Sequence, residues 1–213
     1  HIKIRYRNLE WKLLKEICIY SFWIFLNSIM DRIYWSTGQF VIGSLIGTAA
    51  VAVYSAAILL QSMYMQFSSA VCGVLFPKLT KMVAKNSSNQ EISNEFIKAG
   101  RIQCVIMALV LSGFIIFGKN FILLWAGNNY SDSYMIALIF FVALFVPMLQ
   151  NTGIMILAAR NQMKFRSTLY VIIATISLIF QILFTKNWGP IGCAYAIGGA
   201  LILGQGVIMN FYY

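Results

Sequence analysis

The chain alternates long uncharged runs with short clusters of charged and turn-forming residues. Each run is at or near the roughly 20 residues that a helix needs to cross the hydrocarbon core of a bilayer. The second run would extend about 68 Å at the 1.5 Å helical rise per residue, so we expect a turn within residues 43–48. The uncharged runs cover residues 17–30, 33–77, 102–118, 133–159, 167–185 and 187–213.

This pattern predicts an all-α fold, a polytopic membrane helix bundle with six transmembrane helices. The runs are continuously apolar and lack the alternation of polar and apolar positions that a transmembrane β-barrel requires. Residues 1–213 form one six-helix unit in this interpretation, and residues 1–16 precede its first helix. The predicted spans lie at about 17–42, 49–80, 93–117, 133–158, 167–185 and 190–210.

The composition supports a membrane protein. Hydrophobic residues make up 60% and charged residues 10% of the chain, with a mean hydropathy of +0.77, whereas soluble domains have about 25% charged residues. This excludes a water-soluble globular protein. The four cysteines all lie in apolar runs, so we expect packing residues rather than a disulfide framework or a metal site. No cofactor is predicted.

The net charge of +10 arises from 16 basic and 6 acidic residues. Thirteen of the basic residues lie before the first span, or in or near the two connections that follow spans two and four. The positive-inside rule therefore places these segments, including residues 1–16, in the cytoplasm. Because orientation explains most of the charge, we expect no nucleic-acid partner. The thirteen are Lys3, Arg5, Arg7, Lys12, Lys15, Lys78, Lys81, Lys85, Lys98, Arg101, Arg160, Lys164 and Arg166.

The opening segment, residues 1–16, has two interpretations. Leu9, Leu13, Ile17 and Tyr20 follow helical spacing with basic residues between them, as in an interfacial helix that contacts membrane lipids. A simple connector explains the segment equally well. The chain begins at His1 rather than Met, and we expect it to be a fragment of a longer polytopic protein.

One charged pair, Asp31 and Arg32, lies inside a predicted span. Ionisable residues within a membrane are costly unless they face partners, a bundle interior or water. At helical spacing Asn27, Asp31, Tyr34 and Gly38 share one face of the first helix, and Arg32 lies on the neighbouring stripe. A continuous polar face of this kind indicates a water-filled cavity.

Two roles remain open for the pair. In the first, Asp31 and Arg32 fix helix packing by neutralising each other or partners on another helix. In the second, they serve a ligand. In the second case Arg32 presents its guanidinium to an anion such as phosphate. Asp31 then either orients Arg32 or takes part in coupling to an ion, H⁺ or Na⁺.

Further polar and helix-breaking positions lie in the second and fourth spans. Tyr54 and Gln61 recur at a seven-residue interval, which either lines the cavity or mediates helix packing. Pro77 ends the second predicted span and can kink it. Pro147 interrupts the fourth span, and broken helices occur both as simple bends and in transporter sites. The substrate-cavity candidates of these spans are Tyr54, Gln61, Gln150 and Asn151, and the gating or kink candidates are Pro77, Pro147 and Arg101.

The chemistry expected of an enzyme is missing from the sequence. We find no paired carboxylates, no Ser/His/Asp set, no metal-ligand spacing and no phosphate loop, and His1 is the sole histidine. The sequence therefore predicts a transporter rather than an enzyme. Transport would use an ion gradient or the gradient of the ligand itself.

Several motifs resemble one family of transporters. Residues 31–57, DRIYWSTGQFVIGSLIGTAAVAVYSAA, resemble the junction of the seventh and eighth helices of polysaccharide or O-antigen flippases, in the superfamily of multidrug and lipid-linked-oligosaccharide exporters. Residues 76–79, 99–101, 124–127 and 189–194 extend the resemblance over nearly the whole chain. In one departure, Gly38 stands where many relatives carry an acidic residue, so no role of that acid transfers to this chain.

The resemblance implies two six-helix lobes around a central cavity, of which this chain is the C-terminal lobe and lacks the N-terminal one. It implies a multi-pass protein of the bacterial inner membrane for surface polysaccharide, O-antigen, lipopolysaccharide or capsule biosynthesis. The implied substrate is an oligosaccharide linked through pyrophosphate to a polyprenyl carrier, moved from the inner to the outer leaflet by alternating access.

Three alternatives stay open. The nearest is an ion-coupled multidrug exporter of the same superfamily, although an arginine in the cavity disfavours organic cations. A membrane-embedded glycan polymerase or ligase would also bind polyprenyl-linked sugars, but the longest predicted outer segment, roughly residues 118–132, is short and nearly uncharged. A structural membrane scaffold leaves the polar helix faces unexplained.

Overall fold

In a computed structural model of the chain, the structure describes residues 11–85, 87–159 and 163–208. All regular secondary structure in these ranges is helical, which confirms the predicted all-α class. Most of the segment 1–16 and the end of the sixth predicted span, residues 209–210, lie outside the described residues. The α-helices are α1 (Trp11–Leu45), α2 (Thr48–Ala84), α3 (Asn89–Trp125), α4 (Ser133–Leu149), α5 (Asn151–Ala159) and α6 (Met163–Leu201), with a 3-10 turn at Asn128–Tyr130 and a π-helical segment at Ile202–Val207.

The first two helices are joined by a turn at Gly47, within the range where the sequence predicts one. Gly47 has φ 125° and ψ 177°, a backbone conformation accessible almost only to glycine. Its amide donates to the carbonyl of Ile42 at 3.2 Å, which closes the end of α1. The chain can therefore reverse here without interrupting either helix.

Helices α2 and α3 are longer than the predicted spans. Each has 37 residues, about 55 Å at the helical rise, and so exceeds the roughly 30 Å hydrocarbon core. The extra turns of α3 begin with a capping box between Ser88 and Glu91, which satisfies amides that the helix start leaves free. An ion pair of 2.6 Å between Lys78 and Glu95 joins the C-terminal part of α2 to the N-terminal part of α3.

The fourth predicted span is two helices rather than one. Pro147 has no amide hydrogen to donate, and α4 ends two residues later at Leu149. Tight bonds from the Gln150 amide to the Pro147 carbonyl, at 3.2 Å, and from the Gly153 amide to the Gln150 carbonyl, at 2.8 Å, form the junction. Helix α5 then continues from Asn151.

Helix α6 consists of two antiparallel arms, residues 163–188 and 190–201, separated by Gly189. Gly189 has φ 63° and ψ −149°, and Pro190 follows it. The hydroxyl of Tyr34 donates to the carbonyl of Ile197 at 2.9 Å, while the Tyr34 ring lies 5.8 Å from that of Tyr170. One side chain of α1 thus contacts both arms, and the arms correspond to the fifth and sixth predicted spans.

The core of the bundle forms around α4. Phe140 and Phe141 are buried, and Phe141 stacks on Tyr64 of α2 with ring centroids 4.2 Å apart. Phe140 meets Tyr54 of α2 and Trp35 of α1 edge to face. Helix α4 therefore holds the neighbouring helices together through aromatic packing.

The described chain has the helices of a membrane protein. Four helical segments are long and apolar enough to cross a membrane, and the last of them contains the reversal at Gly189. Many large apolar side chains on their outer faces are exposed, as expected for surfaces that contact lipid. The four segments are Thr48–Ala84, Asn89–Trp125, Asn128–Leu149 and Arg166–Val207.

Candidate substrate cavity

A cavity of about 140 Å³ lies among α1, α2, α4, α5, α6 and the π-helical segment. A second, much smaller cavity of about 10 Å³ shares Ile154, Arg166, Tyr170 and Gln205 with it, so the two adjoin. Apolar side chains form much of the wall, together with a few polar groups, which is typical of ligand sites. The polar lining residues of the larger cavity are Asp31, Ser69, Asn151, Arg166, Tyr170 and Gln205.

Asp31 reaches the cavity from α1 and is fixed there by Tyr170 of α6. The Tyr170 hydroxyl donates to Oδ1 of Asp31 at 2.7 Å, and the tyrosine is buried whereas Asp31 is exposed. Within the described residues Asp31 forms no ion pair. A carboxylate can accept several hydrogen bonds, so Asp31 retains acceptor sites for a ligand.

Arg166 supplies a positive charge to both cavities. Its Nη1 donates to Oδ1 of Asn27 at 2.9 Å, and its guanidinium carbon lies 5.7 Å from the centre of the Tyr170 ring, within cation–π range. A guanidinium has five N–H donors in a planar fork. The remaining donors can bind a carboxylate or phosphate in the cavity.

Asn27 lies behind Arg166 rather than in the cavity wall. Its amide nitrogen donates to the hydroxyl of Ser167 and to the carbonyl of Trp23 at 2.7 Å, while its oxygen accepts from Arg166. The side chain is buried. Asn27 therefore ties α1 to α6 and orients the arginine.

Arg32 does not line either cavity. It is exposed on α1, and among the described residues it forms no ion pair, with Asp31 or with any other carboxylate. Adjacent residues of a helix point about 100° apart, which explains why Asp31 turns towards α6 and Arg32 away from it. The cavity cation in this structure is Arg166, which the charge pattern assigned to a cytoplasmic connection.

Three further candidates are packed in the protein core. Tyr34 donates to the Ile197 carbonyl, Gln61 contacts the sulfur of Met65, and Tyr54 is fully buried. None of the three lines the cavities described above. The polar atoms of Tyr34 and Gln61 serve contacts between or within helices of the bundle, whereas the buried Tyr54 hydroxyl has no hydrogen-bond partner among the described residues.

Gly38 has a packing explanation. A Cβ atom at this position would lie 2.5 Å from the hydroxyl oxygen of Tyr54 and 3.1 Å from the sulfur of Cys193. An acidic side chain has no room there. The close approach of α1, α2 and α6 therefore requires glycine at this position.

The helix break after Pro147 opens directly onto the cavity region. Pro147 and Gln150 line the smaller cavity, and Asn151 lines the larger one. The hydroxyl of Ser68 donates to the carbonyl of Met148 at 2.9 Å, which satisfies a carbonyl at the broken end of α4. Asn151 in turn donates to the Ser68 hydroxyl at 3.3 Å.

Pro77 and Arg101 lie away from these cavities. Helix α2 continues past Pro77 to Ala84, so the predicted end of the span is not the end of the helix. Arg101 is exposed on α3. The structure thus brings Pro147, but not Pro77 or Arg101, to the edge of the candidate site.

Four polar lining residues, Ser69, Arg166, Tyr170 and Gln205, were not among the sequence candidates. Arg166 and Tyr170 are four residues apart and share one face of α6, and Gln205 is an amide in an apolar segment. A polar side chain inside a predicted span was the signal for Asp31 and applies equally to Tyr170 and Gln205, whereas Arg166 directly precedes the fifth predicted span. Among the described residues no group of three His, Cys, Asp or Glu side chains is placed to hold a metal ion.

The sequence comparisons agree with the resemblance found in the motifs. No curated protein and no solved structure matches the chain significantly. A family profile described as polysaccharide biosynthesis protein matches residues 1–135, which include α1 to α3 and Asp31 of the cavity. This match covers more than half of the chain. The chain is therefore a membrane protein that belongs to the polysaccharide biosynthesis protein family.

Proposed function

We propose that this protein is a flippase for polyprenyl-pyrophosphate-linked oligosaccharide. The observation that carries the proposal is a cavity within a bundle of membrane helices that Arg166 lines together with other polar side chains. Family membership supports a role in polysaccharide biosynthesis. The cavity adds groups suited to a phosphorylated sugar.

The lining of the cavity matches the two polar parts of such a substrate. Among the described residues the Arg166 guanidinium bonds only to Asn27, and its other donors suit paired bonds to phosphate oxygens. Asn151, Gln205 and Asp31 provide amide and carboxylate partners for sugar hydroxyls. In this assignment Asn27 and Tyr170 position Arg166 and Asp31 rather than act on the substrate themselves.

The proposed orientation places Arg166 near the inner leaflet. It lies close to the start of α6, beside a connection that also carries Arg160 and Lys164. The positive-inside rule puts this connection, and residues 1–16, in the cytoplasm of a bacterium. A pyrophosphate headgroup of the inner leaflet would meet Arg166 first.

Transport would follow alternating access. This chain would form the C-terminal lobe and rock against an N-terminal lobe, with the cavity between open to one side at a time. The break between α4 and α5 lies at the cavity and permits such bending. Asp31 is the proposed site for coupling to H⁺ or Na⁺, and no chemical conversion of the substrate, and so no enzyme activity, is part of this scheme.

The test is complementation of a flippase-deficient bacterium whose glycan matches that of the source. The full-length parent protein should restore surface polysaccharide. Arg166→Ala should reduce it at least tenfold, because pyrophosphate loses its cation, and Arg166→Lys should retain part of the activity. Lys98→Ala is the matched control, because Lys98 is a cation exposed on α3 outside the cavities.

Two results would contradict the proposal. Full activity of a normally inserted Arg166→Ala protein would remove the anion-binding role of the cavity. No restoration by a well-expressed parent in a matched strain would reject flippase activity.

The second candidate is ion-coupled export of organic cations, which the exposed carboxylate of Asp31 favours. In that case Asp31→Asn would abolish resistance to cationic dyes, whereas Arg166→Ala would preserve it. Parallel measurement of dye resistance therefore separates the two candidates.

A further inference from the structure

A further cavity lies at the end of the bundle where α6 reverses. Its volume is about 350 Å³, larger than that of the cavity around Arg166 and within the range of about 300–1,000 Å³ that is typical of ligand pockets. Its wall contains one carboxylate, from Asp132, and one indole ring, from Trp188. The other lining residues are apolar and belong to the first turns of α2 and to the segment after Gly189. They are Ala49, Ala50, Val53, Pro190 and Ile191.

The carboxylate of Asp132 has no structural partner among the described residues. Asp132 immediately precedes α4, where an aspartate side chain usually accepts a hydrogen bond from an amide of the first turn, but it makes no such bond. It is exposed, and within the described ranges it forms no ion pair. Its backbone carbonyl, in contrast, accepts from the Ile136 amide at 3.3 Å. The carboxylate oxygens are therefore available to a ligand.

The walls of this cavity are held in place by neighbouring contacts. The hydroxyl of Ser133, the residue after Asp132, donates to the carbonyl of Val53 at 2.7 Å, which fixes the start of α4 against α2. The ring of Trp188 packs 5.2 Å from that of Phe184, yet the residue is 60% exposed. The indole is therefore supported on one side and accessible on another.

A carboxylate and an accessible indole in one cavity match the two surfaces of a sugar ring. One face of a pyranose consists of C–H groups, which pack on a large aromatic ring. Its rim carries hydroxyls, which donate to carboxylate oxygens. The short side chains of Ala49 and Ala50 leave room between Asp132 and Trp188 for such a ring.

We propose that this cavity, the Trp188 pocket, binds a saccharide unit that stacks on Trp188 and donates hydrogen bonds to Asp132. The same two groups suit an organic cation, but membership of a polysaccharide biosynthesis family favours a sugar. The exposed Lys186, two residues before Trp188, also adds a positive charge at this end. The Trp188 pocket shares no lining residue with the cavities around Arg166, so this proposal does not rest on flippase activity.

The test is a titration of the full-length parent protein in detergent, followed by tryptophan fluorescence. The probe is the soluble oligosaccharide repeat that mild acid releases from the surface polysaccharide of the source. It should change the emission of the parent in a saturable way, and Trp188→Phe should remove that change.

Trp125→Phe is the matched control. Trp125 is the last residue of α3, is 47% exposed and lies outside the Trp188 pocket. Tryptophans at helix ends commonly anchor a protein in the headgroup region, and this variant removes one such ring without touching the pocket. It should keep the full change in emission.

Variants of Asp132 test the carboxylate with the fluorescent residue in place. Asp132→Ala should weaken binding at least tenfold, whereas Asp132→Asn should keep part of the affinity, because a neutral amide oxygen accepts a weaker hydrogen bond than a carboxylate. Thermal unfolding of each variant is measured so that misfolded protein is not counted as a loss of binding.

Four outcomes would overturn the proposal. The first is no saturable change with the oligosaccharide, and the second is equal affinity of Asp132→Ala and the parent. The third is a change that persists in Trp188→Phe, which would assign the signal to another tryptophan, such as Trp35 in the cavity of Arg166. The fourth is a response to tetramethylammonium but not to the oligosaccharide, which would assign the pocket to cations. Because binding of a lipid-free sugar is measured rather than transport, the proposal can fail while the proposed flippase function stands, and the reverse also holds.

Discussion

At the residue scale, one substitution tests whether Gly38 is required by packing. A Cβ atom there would lie 2.5 Å from the Tyr54 hydroxyl oxygen, so Gly38→Ala should lower the free energy of unfolding by about 1–3 kcal/mol, the usual effect of overpacking. Thermal unfolding in detergent measures the change. Both residues belong to the tight contact between α1 and α2, which makes the clash direct.

The control for this prediction is Gly73→Ala on α2. No atom lies within 4 Å of a Cβ at Gly73, so the alanine should be neutral or stabilise the helix by up to about 1 kcal/mol. Adding Tyr54→Phe to Gly38→Ala should recover part of the loss, because the nearest clashing atom is the hydroxyl. Equal stability of the two glycine variants would show that Gly38 is not packed as described.

Residue chemistry also explains why the sequence located only part of the cavity. Asp31 was predicted because a charge inside an apolar run is conspicuous. Arg166 was missed because it lies at the edge of a run, where an arginine satisfies the orientation rule equally well. Only the hydrogen bond to Asn27 and the contact with Tyr170 show which way its side chain points.

At the element scale, the broken fourth span depends on a bond from a neighbouring helix. Ser68 of α2 donates to the Met148 carbonyl at 2.9 Å, and this carbonyl is at the end of α4, where helical partners run out. Ser68→Ala should therefore destabilise the protein by about 1–3 kcal/mol, since a buried acceptor loses its partner. Thermal unfolding in detergent again measures the change.

Ser62→Ala is the matched control. Ser62 also lies on α2, but it is only half-buried and donates to the Leu59 carbonyl of its own helix. Its removal should change stability by less than about 0.5 kcal/mol. If both variants unfold at the same temperature, the Ser68 bond does not hold the break together.

The helices themselves were largely predictable, whereas their ends were not. Continuous apolar runs specify helices because every backbone group must be satisfied within the membrane, and Gly47 marks the first turn by its backbone conformation. The sequence did not show that α2 continues past Pro77 or that the fourth span divides after Leu149. Those outcomes depend on partners from other helices, such as Ser68, which a local pattern does not reveal.

At the scale of the whole molecule, the distribution of charge determines how the bundle is oriented, and the structure makes that orientation testable. The connection between α2 and α3 and the start of α6 carry many of the basic residues, whereas Asn128–Tyr130 and Gly189 lie at the opposite ends of their helices. Because cytoplasmic connections retain Lys and Arg, Gln90 should face the cytoplasm and Asn129 the outside.

A cysteine introduced at each of these two exposed positions measures the orientation, in a background in which the four native cysteines are changed to Ser. A membrane-impermeant maleimide should label Asn129→Cys in intact cells and Gln90→Cys only after the cells are opened. The opposite pattern would invert the bundle and place Arg166 at the outer leaflet. Substrate would then meet the cavity cation last, so the proposed direction of transport depends on this result.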